Sequence, residues 1–304
     1  MNENFRILIA YDGSSDADAA LDDLKNAGLN EKTVEASIIS VAEVWLPPQN
    51  GTGEEVEFIT EGLRKKYEER LEVLDETREM SRRAAERLNA MFPGWQVSAD
   101  ATYGSPAWEI LFRAGDYKPD LIVVGAKGQT AFERVLIGSV SQKIVTEAKC
   151  SVRVARGKVE VEPSPTRIVI GYDGTDGANE VIEAVAGRKW SEGSEAKVII
   201  VEDAASIRSS LEIENERIRE VGGQVVEKLR LRGLNTSLAA REGNPKQVIV
   251  EEAEGWGADS IFIGATKFSG FFTKYLLGSV SSAIVTRAHC SVEVVRPNYY
   301  RQTG

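Results

Sequence analysis

The sequence has little of several residue types that would indicate particular classes of protein. Its 304 residues include two cysteines, one histidine and 7% aromatic residues. Two cysteines are too few for a disulfide framework, and the lack of a CxxC pair argues against a structural zinc site. The single histidine, His289, excludes most histidine-based catalysis. A Ser-His-Asp triad around His289 is conceivable, but we favour a position at a helix end or in the core.

Long apolar runs and an excess of basic charge are also missing. No apolar stretch approaches the roughly 18 residues that a membrane span needs, and the N-terminus shows no basic-then-apolar signal segment. We therefore predict a cytoplasmic protein without a membrane partner. The net charge of −10 argues against a broad nucleic-acid-binding surface. It still allows one phosphate-binding pocket, because the local field matters more there than the total charge.

What the sequence does contain is an internal repeat. The segment RILIAYDGS, beginning at Arg6, returns as RIVIGYDGT at Arg167, and LIGSVS later returns as LLGSVS. Both copies end in a Cys-Ser-Val segment, at Cys150 and at Cys290. Three matching blocks in the same order indicate two copies of one domain, and their spacing gives the first copy about twenty extra residues in its middle.

The join between the copies contains two prolines and several acidic residues, which are typical of a linker. We predict a first domain at 1–156 with a helical insertion at about 45–91, a linker at 157–162, a second domain at 163–297 and a disordered tail at 298–304. The insertion is predicted to form one long surface helix packed on the sheet. The alternative is a partner-docking helix or a lid over the pocket, with Gly51 and Gly53 as hinges.

Within each copy, short apolar runs alternate with helical patterns. In the first copy the predicted strands are 7–10, 36–41, 97–101, 121–125 and 152–155, and the predicted helices are 16–26, 58–91, 107–114 and 140–148. Strands buried on both faces and separated by helices predict an α/β fold, with one doubly wound, mainly parallel, five-stranded sheet for each copy. Such sheets bind ligands beyond the carboxyl ends of their strands, near a topological switch point.

A glycine-rich loop follows the fourth predicted strand. Gly125 and Gly128 free the backbone to approach a ligand, and nine residues later Gly138-Ser139 precedes a helix. The unpaired N–H groups and the dipole of a helix N-terminus favour an anion there. Three basic side chains could neutralise its charge: Lys127, Arg134 and Lys143. The loop is neither a Walker A motif nor the Rossmann GxGxxG motif.

The spacing Gly-x2-Gly-x9-Gly-Ser resembles the nucleotide loop of the universal stress protein family. Tyr11-Asp-Gly-Ser, Gly104-Ser-Pro and Cys150-Ser-Val resemble that family too, and the likeness extends over both copies. The resemblance implies a tandem universal stress protein with the adenine nucleotide alpha hydrolase-like fold. It also implies that ATP or a related adenine nucleotide binds, together with any Mg²⁺ that the nucleotide carries.

The resemblance also assigns residues to parts of the nucleotide. It implies that Asp12 and Val41 contact adenine or ribose, that Gly125, Ala126, Lys127 and Gly128 line the ribose and phosphates, and that Gly138, Ser139, Val140 and Ser141 hold the phosphates. Each assignment has a structural alternative. Asp12 could cap the turn at Ser14, Val41 could be plain core, and Ser139 could be a helix N-cap.

The second copy departs from the pattern. Its corresponding residues are Asp173, Val201, Gly264, Gly278, Ser279 and Ser281. Lys267 stands where Gly128 would be, and ten residues rather than nine separate it from Gly278. Because a non-glycine side chain restricts both space and backbone conformation, we predict weaker or absent nucleotide binding in the second copy.

Three functions are consistent with these features. The leading one is a stress-response regulatory protein that uses ATP as a conformational ligand with little or no turnover. A slow ATPase or adenylyl-transferring enzyme is the second, although the loop lacks a second carboxylate motif beside Asp12. The third is a scaffold or small-molecule binding module without nucleotide.

The resemblance also bears on partners. In this family the last strand commonly joins two domains across a two-fold axis, and a tandem chain can pair 152–155 with 292–295 internally. Antiparallel pairing would place Cys150 and Cys290 too far apart for a disulfide. A homodimer and an unidentified protein partner complete the set of expected interactions.

Overall fold

A computed structural model describes residues 4–29, 34–45, 61–127, 137–156, 165–202, 212–268 and 274–302. The strands of the first copy are β1 (Phe5–Ala10), β2 (Val34–Ala42), β3 (Gln96–Tyr103), β4 (Leu121–Gly125) and β5 (Ser151–Ala155). Its helices are α1 (Ser15–Asp23), which a 3-10 turn extends over Leu24–Asn26, α2 (Glu61–Met91), α3 (Pro106–Tyr117) and α4 (Ser139–Glu147). The predicted elements are thus all present, with ends shifted by a few residues.

The second copy repeats this order and contains a short hairpin after its fourth strand; the corresponding segment of the first copy, 128–136, lies outside the described residues. Its strands are β6 (Arg167–Gly171), β7 (Glu195–Glu202), β8 (Asn235–Glu242), β9 (Ser260–Gly264), the hairpin strands β10 (Thr266–Phe268) and β11 (Lys274–Leu276), and β12 (Ser291–Val295). Its helices are α5 (Asp176–Ala186), α6 (Glu212–Arg230), α7 (Pro245–Trp256), α8 (Ser279–Arg287) and α9 (Tyr299–Gln302).

The two five-stranded halves form one ten-stranded sheet in the order β3-β2-β1-β4-β5-β12-β9-β6-β7-β8. Neighbours within each half are parallel, and β5 pairs antiparallel with β12 at the join. The predicted mainly parallel α/β fold is confirmed, as is the internal pairing of the two last strands. In each half the order of strands reverses once, between β1 and β4 and between β6 and β9. These gaps are the topological switch points.

Helices cover both faces of the sheet. In the first half, Ile7, Leu21 and Leu88 share one core with α1 and α2, whereas Leu8 and Ile144 share the opposite core with α3 and α4. This second core continues without interruption into α7 and α8 of the other half. The two copies therefore fold against each other as one body on that face.

The long helix α2 packs on β2 and β3, as the surface-helix interpretation predicted. It buries Leu74, Ser81 and Leu88, and the Ser81 hydroxyl donates to the carbonyl of Asp100 at 2.9 Å. Residues 46–60, with the suggested hinges, lie outside the described part, so a lid stays untested. No helix in the described ranges is both long and apolar enough to cross a membrane.

The predicted disorder of the C-terminal tail is wrong for residues 298–302. The Asn298 side-chain amide donates to the Asp120 carboxylate at 2.8 Å, and the Tyr299 N–H donates to the carbonyl of Lys149 at 3.0 Å. Tyr300 is buried. A polar composition suggested disorder, but the aromatic ring and these hydrogen bonds hold the segment on the first copy.

The two cysteines are free thiols, as predicted. Cys150 is fully buried in the core on the α3 and α4 side, and Cys290 packs against the same core. Burial raises the pKa of the Cys290 thiol to about 12 and raises that of Cys150 further. Both thiols therefore stay protonated and unreactive at neutral pH.

Candidate functional site

The first wall of the site is the turn that joins β1 to α1. The N–H of Tyr11 donates to the carbonyl of Ile39 at 3.0 Å, which continues the pairing of β1 with β2. Asp12 accepts the Ser14 N–H at 3.0 Å, Gly13 takes a left-handed φ of 74°, and the Ser14 hydroxyl caps the N–H of Ala17 at 3.1 Å. Asp12 thus has the turn-forming role that the sequence left open as its alternative.

The second wall is the end of β4, which packs tightly against α1. A Cβ atom at Gly125 would lie 2.7 Å from both the carbonyl carbon and oxygen of Asp16 and 3.0 Å from the N of Ala17. Gly125 was expected to let a ligand approach the backbone. In this structure the backbone that lies close to Gly125 is the first turn of α1, because α1 begins directly against the end of β4.

The third wall is the start of α4. The Gly138 N–H donates to the carbonyl of Ala126 at 2.7 Å, and the Ser141 hydroxyl donates to the carbonyl of Gly125 at 2.7 Å. These two bonds hold the first turn of α4 on the end of β4. Gly138 is the N-cap, and no described side chain caps the helix. The first-turn N–H groups of Ser139, Val140 and Ser141 therefore have no acceptor within the helix.

The structure brings most of the predicted residues to this switch point. Ser139 is exposed at its mouth, whereas Ser141 and Ala126 are buried. Val41 is half-buried and packs on the core beneath α3 and α4, in agreement with a core role. Lys127 is half-buried beside Ala126. Gly128 and Arg134 lie outside the described residues.

Lys143 was expected to neutralise ligand charge, but in this structure it points elsewhere. Its ammonium pairs with Glu147 at 3.3 Å and lies 3.8 Å from the centre of the Trp108 ring. Since Glu147 is one turn further along α4, Lys143 contributes to the helix surface rather than to the helix start.

A cleft of about 630 Å³ lies against the β1 turn, on the side of α2. Tyr11 and Gly13 line it together with a row of α2 side chains: Asp75, Glu76, Glu79, Met80 and Arg83. The Tyr11 hydroxyl donates to Asp18 at 2.8 Å. Burial, with this bond, raises the pKa of Tyr11 to about 12. Two of the carboxylates that line the cleft are paired with arginines of α2, Asp75 with Arg78 and Glu79 with Arg82 and Arg83.

The second copy rebuilds the same walls. Asp173 accepts the Thr175 N–H at 3.1 Å, the Ser281 hydroxyl donates to the carbonyl of Gly264 at 2.9 Å, and α8 starts at Gly278 without a side-chain cap among the described residues. Val201 is half-buried, like Val41, and Ser279 is exposed, like Ser139.

The loop that follows β9 carries Lys267 where the first copy has Gly128. Its two ends pair as the β10–β11 hairpin, with Lys267 opposite Tyr275. Lys267 therefore lies in extended strand backbone. The glycine that it replaces in the alignment of the two copies would leave that backbone freer.

Asp16 also belongs to the site, although its own sequence context did not indicate it. Its backbone forms the floor against Gly125, and Gly177 occupies the corresponding place in the second copy. That glycine was the available signal, because a Cβ there would lie 2.4 Å from the carbonyl oxygen of Ala265. His289 is exposed just after α8, 3.6 Å from Glu254, which agrees with a helix-end position.

Comparison with known proteins gives a consistent result for both copies. The model of the universal stress protein family matches residues 3–156 and 165–296. Universal stress protein MJ0531 of Methanocaldococcus jannaschii is 32% identical over 155 residues, which cover 50% of this chain and 81% of that protein. Universal stress protein YxiE of Bacillus subtilis is 32% identical over 155 residues, covering 50% of this chain and 98% of that protein.

A solved structure is similar over the whole length. The crystal structure of a universal stress protein from Archaeoglobus fulgidus DSM 4304 superposes with a TM-score of 0.64 at 20% identity, and the match covers 98% of each chain. At this identity the similarity shows the fold, including its tandem arrangement.

Proposed function

Because this chain belongs to the universal stress protein family, with two family domains in tandem, we propose that it binds ATP or a related adenine nucleotide at the switch point of its first copy. The observation that carries the proposal is the start of α4. It presents three first-turn N–H groups beside the ends of β1 and β4, and no described side chain caps them.

The walls of the site suggest how the nucleotide lies. The phosphates would accept hydrogen bonds at Ser139 to Ser141, where the helix dipole adds favourable charge. The base and ribose would lie toward Asp12 and Val41, because β1 and β2 end side by side there. Any Mg²⁺ would arrive with the nucleotide, since the described residues hold no cluster of three or more metal-ligating side chains.

The proposed role is regulatory. A bound nucleotide that contacts both the β1 turn and the start of α4 would favour the conformation in which those elements are close. The Asp12 carboxylate holds the β1 turn by accepting the Ser14 N–H, so we assign it a structural role in the turn rather than a role in proton transfer. We expect steady-state phosphate release from ATP to remain at the rate of a protein-free blank.

The proposal is tested by placing a carboxylate at the start of each helix. Ser139→Glu puts negative charge where the phosphates would lie, and Ser279→Glu is the matched control in the second copy. Both serines are exposed at the first helical position, where an acidic residue stabilises the helix by about 0.3–1 kcal/mol. Loss of folding is therefore not expected in either variant.

Isothermal titration calorimetry with ATP measures the result. We expect one site per chain in the wild type, at least about tenfold weaker binding in Ser139→Glu, equivalent to ~1.4 kcal/mol, and unchanged binding in Ser279→Glu. Unchanged affinity in Ser139→Glu would contradict the phosphate position. Two equivalent sites per chain, or a loss confined to Ser279→Glu, would contradict the assignment to the first copy.

A further inference from the structure

The join between the copies has a pair of opposite charges at its centre. β5 and β12 run antiparallel, and Arg153 lies directly opposite Glu293, between the pairs Val152–Val294 and Val154–Val292. Both charged side chains are fully buried. The two residues occupy the same position in their respective copies, three residues after the cysteine. The pairing axis therefore passes between them.

Two further charges extend this pair into a row, which we call the charge row: Asp23, Arg153, Glu293 and Arg188. Arg153 donates to Asp23 at 2.5 Å and 3.1 Å and lies 3.4 Å from Glu293. Glu293 accepts from Arg188 at 3.0 Å. The signs alternate along the row, and the first two members belong to the first copy while the last two belong to the second.

Other groups complete the burial of these charges across the join. Arg153 donates to the Ser260 hydroxyl at 2.8 Å, and the Ser291 hydroxyl donates to Asp23 at 2.8 Å. The Phe262 ring centre lies 5.9 Å from the Arg153 guanidinium and 5.0 Å from that of Arg188. Two serines and a phenylalanine of the second copy thus contact the charged side chains Asp23 and Arg153 of the first copy.

Apart from Ser291, which corresponds to Ser151, these groups are not duplicated by the repeat. In the alignment of the copies, Asp23 corresponds to Ala184, and Arg188 corresponds to Ala27. Likewise Leu121 and Val123 stand where the second copy has Ser260 and Phe262. Each copy therefore holds one half of a complementary surface, although the backbones of the two halves are equivalent.

We infer that the charge row makes the last-strand interface select the unlike copy, so that a first copy pairs with a second copy and rejects another first copy. In a two-fold pairing of like copies, residue 153 would face residue 153, or residue 293 would face residue 293. The row would then have two arginines or two glutamates adjacent at its buried centre. Each arginine would keep Asp23 of its own copy and each glutamate would keep Arg188, but like charges directly opposite on antiparallel strands are destabilising, and more so where burial reduces screening by water.

The first test measures whether separated copies form like or unlike dimers. A protease site is inserted in the linker at 157–162 of the full chain, the folded protein is cleaved, and the two fragments are refolded together from denaturant. Native mass spectrometry then counts the three dimers. We expect the unlike dimer in at least tenfold excess over each like dimer.

The matched control is the fourfold variant D23A/R153M/R188A/E293M, which gives both copies the same apolar residues along the row. We expect like dimers to form there in amounts comparable to the unlike dimer. Comparable amounts of like and unlike dimers from wild-type fragments would overturn the inference. So would a fourfold variant as selective as the wild type, because the rest of the interface would then be responsible.

A second test on the intact chain applies even if the fragments fail to refold. Urea unfolding is compared for R153M, E293M and R153M/E293M. Each single change removes the contact between residues 153 and 293, whereas the double change removes that contact only once; the partners Asp23 and Arg188 are left unpaired to the same extent in the single and the double variants. We expect the double variant to be at least tenfold more stable, as a folding equilibrium constant, than the product of the single effects predicts. Additive effects would mean that Arg153 serves only Asp23, and would overturn the inference.

Discussion

The substitution Gly125→Ala is expected to destabilise the first copy before any ligand is added. The new methyl group would lie 2.7 Å from the backbone of Asp16 and 3.0 Å from that of Ala17. Backbone atoms cannot turn aside as a flexible side chain can, so α1 has to move as a whole. Overpacking of this kind costs about 1–3 kcal/mol. Since α1 also carries the turn at Asp12, the movement would widen the site on one side.

The assay is urea unfolding of the nucleotide-free protein, followed by ATP titration. Gly115→Ala is the control, because Gly115 lies in α3 with open space around it, and alanine there should raise stability by up to about 1 kcal/mol. Gly264→Ala should destabilise as well, since its Cβ would lie 2.4 Å from the carbonyl carbon of Gly177. If Gly125→Ala weakened ATP binding but unfolded like the wild type, the glycine would serve ligand approach and our reasoning would be refuted.

Three further predictions concern backbone strain, pH and thiols. Lys118 ends α3 with a left-handed φ of 53°, where the second copy has Gly257, so Lys118→Gly should raise the unfolding free energy by about 0.5–1 kcal/mol; a loss of stability in urea unfolding would contradict this. The raised pKa of Tyr11, about 12, favours the neutral phenol in the folded state, so its contribution is complete below pH ~10 and is lost as the pH rises toward 12. From pH 9 to 12 the free energy of unfolding should fall less steeply with pH in Tyr11→Phe than in the wild type. Identical slopes in the two proteins would contradict the assignment. Both thiols should react with a disulfide reagent at least ~100-fold more slowly in native than in denatured protein, and a native Cys150–Cys290 bridge in non-reducing mass spectrometry would overturn the packing described.

The repeat and its alternation of strands and helices made the fold accessible from the sequence. A short, continuous apolar run such as Leu121–Gly125 is typical of a central parallel strand that helices cover on both faces. The repeated blocks then fix where each copy begins and ends its sheet. The predicted pairing of the last strands followed from family resemblance, and the structure confirms it at the register of Arg153 and Glu293.

The sequence indicated which strand end and which helix start lie together, and the nucleotide site at that point stays a prediction. The glycine spacing indicated the end of β4 and the start of α4, but it could not show that Gly125 meets α1. That contact depends on how closely a helix sits on the sheet, which is a tertiary property. For the same reason the tail was predicted as disordered from its composition. Its order comes from partners far away in sequence, Asp120 and Lys149.

The antiparallel join also determines how the two copies can act together. Because β5 and β12 run in opposite directions, the strands of the two halves point in opposite directions. The carboxyl ends of β1 and β4 therefore lie along one side of the sheet, and those of β6 and β9 lie along the opposite side. One nucleotide cannot bridge the two switch points, and each is built by its own copy. The β10–β11 hairpin can therefore alter the second switch point without disturbing the first. What the copies share is the core beneath α3, α4, α7 and α8 and the charge row, so the two switch points are connected by packing and ion pairs rather than by a common ligand.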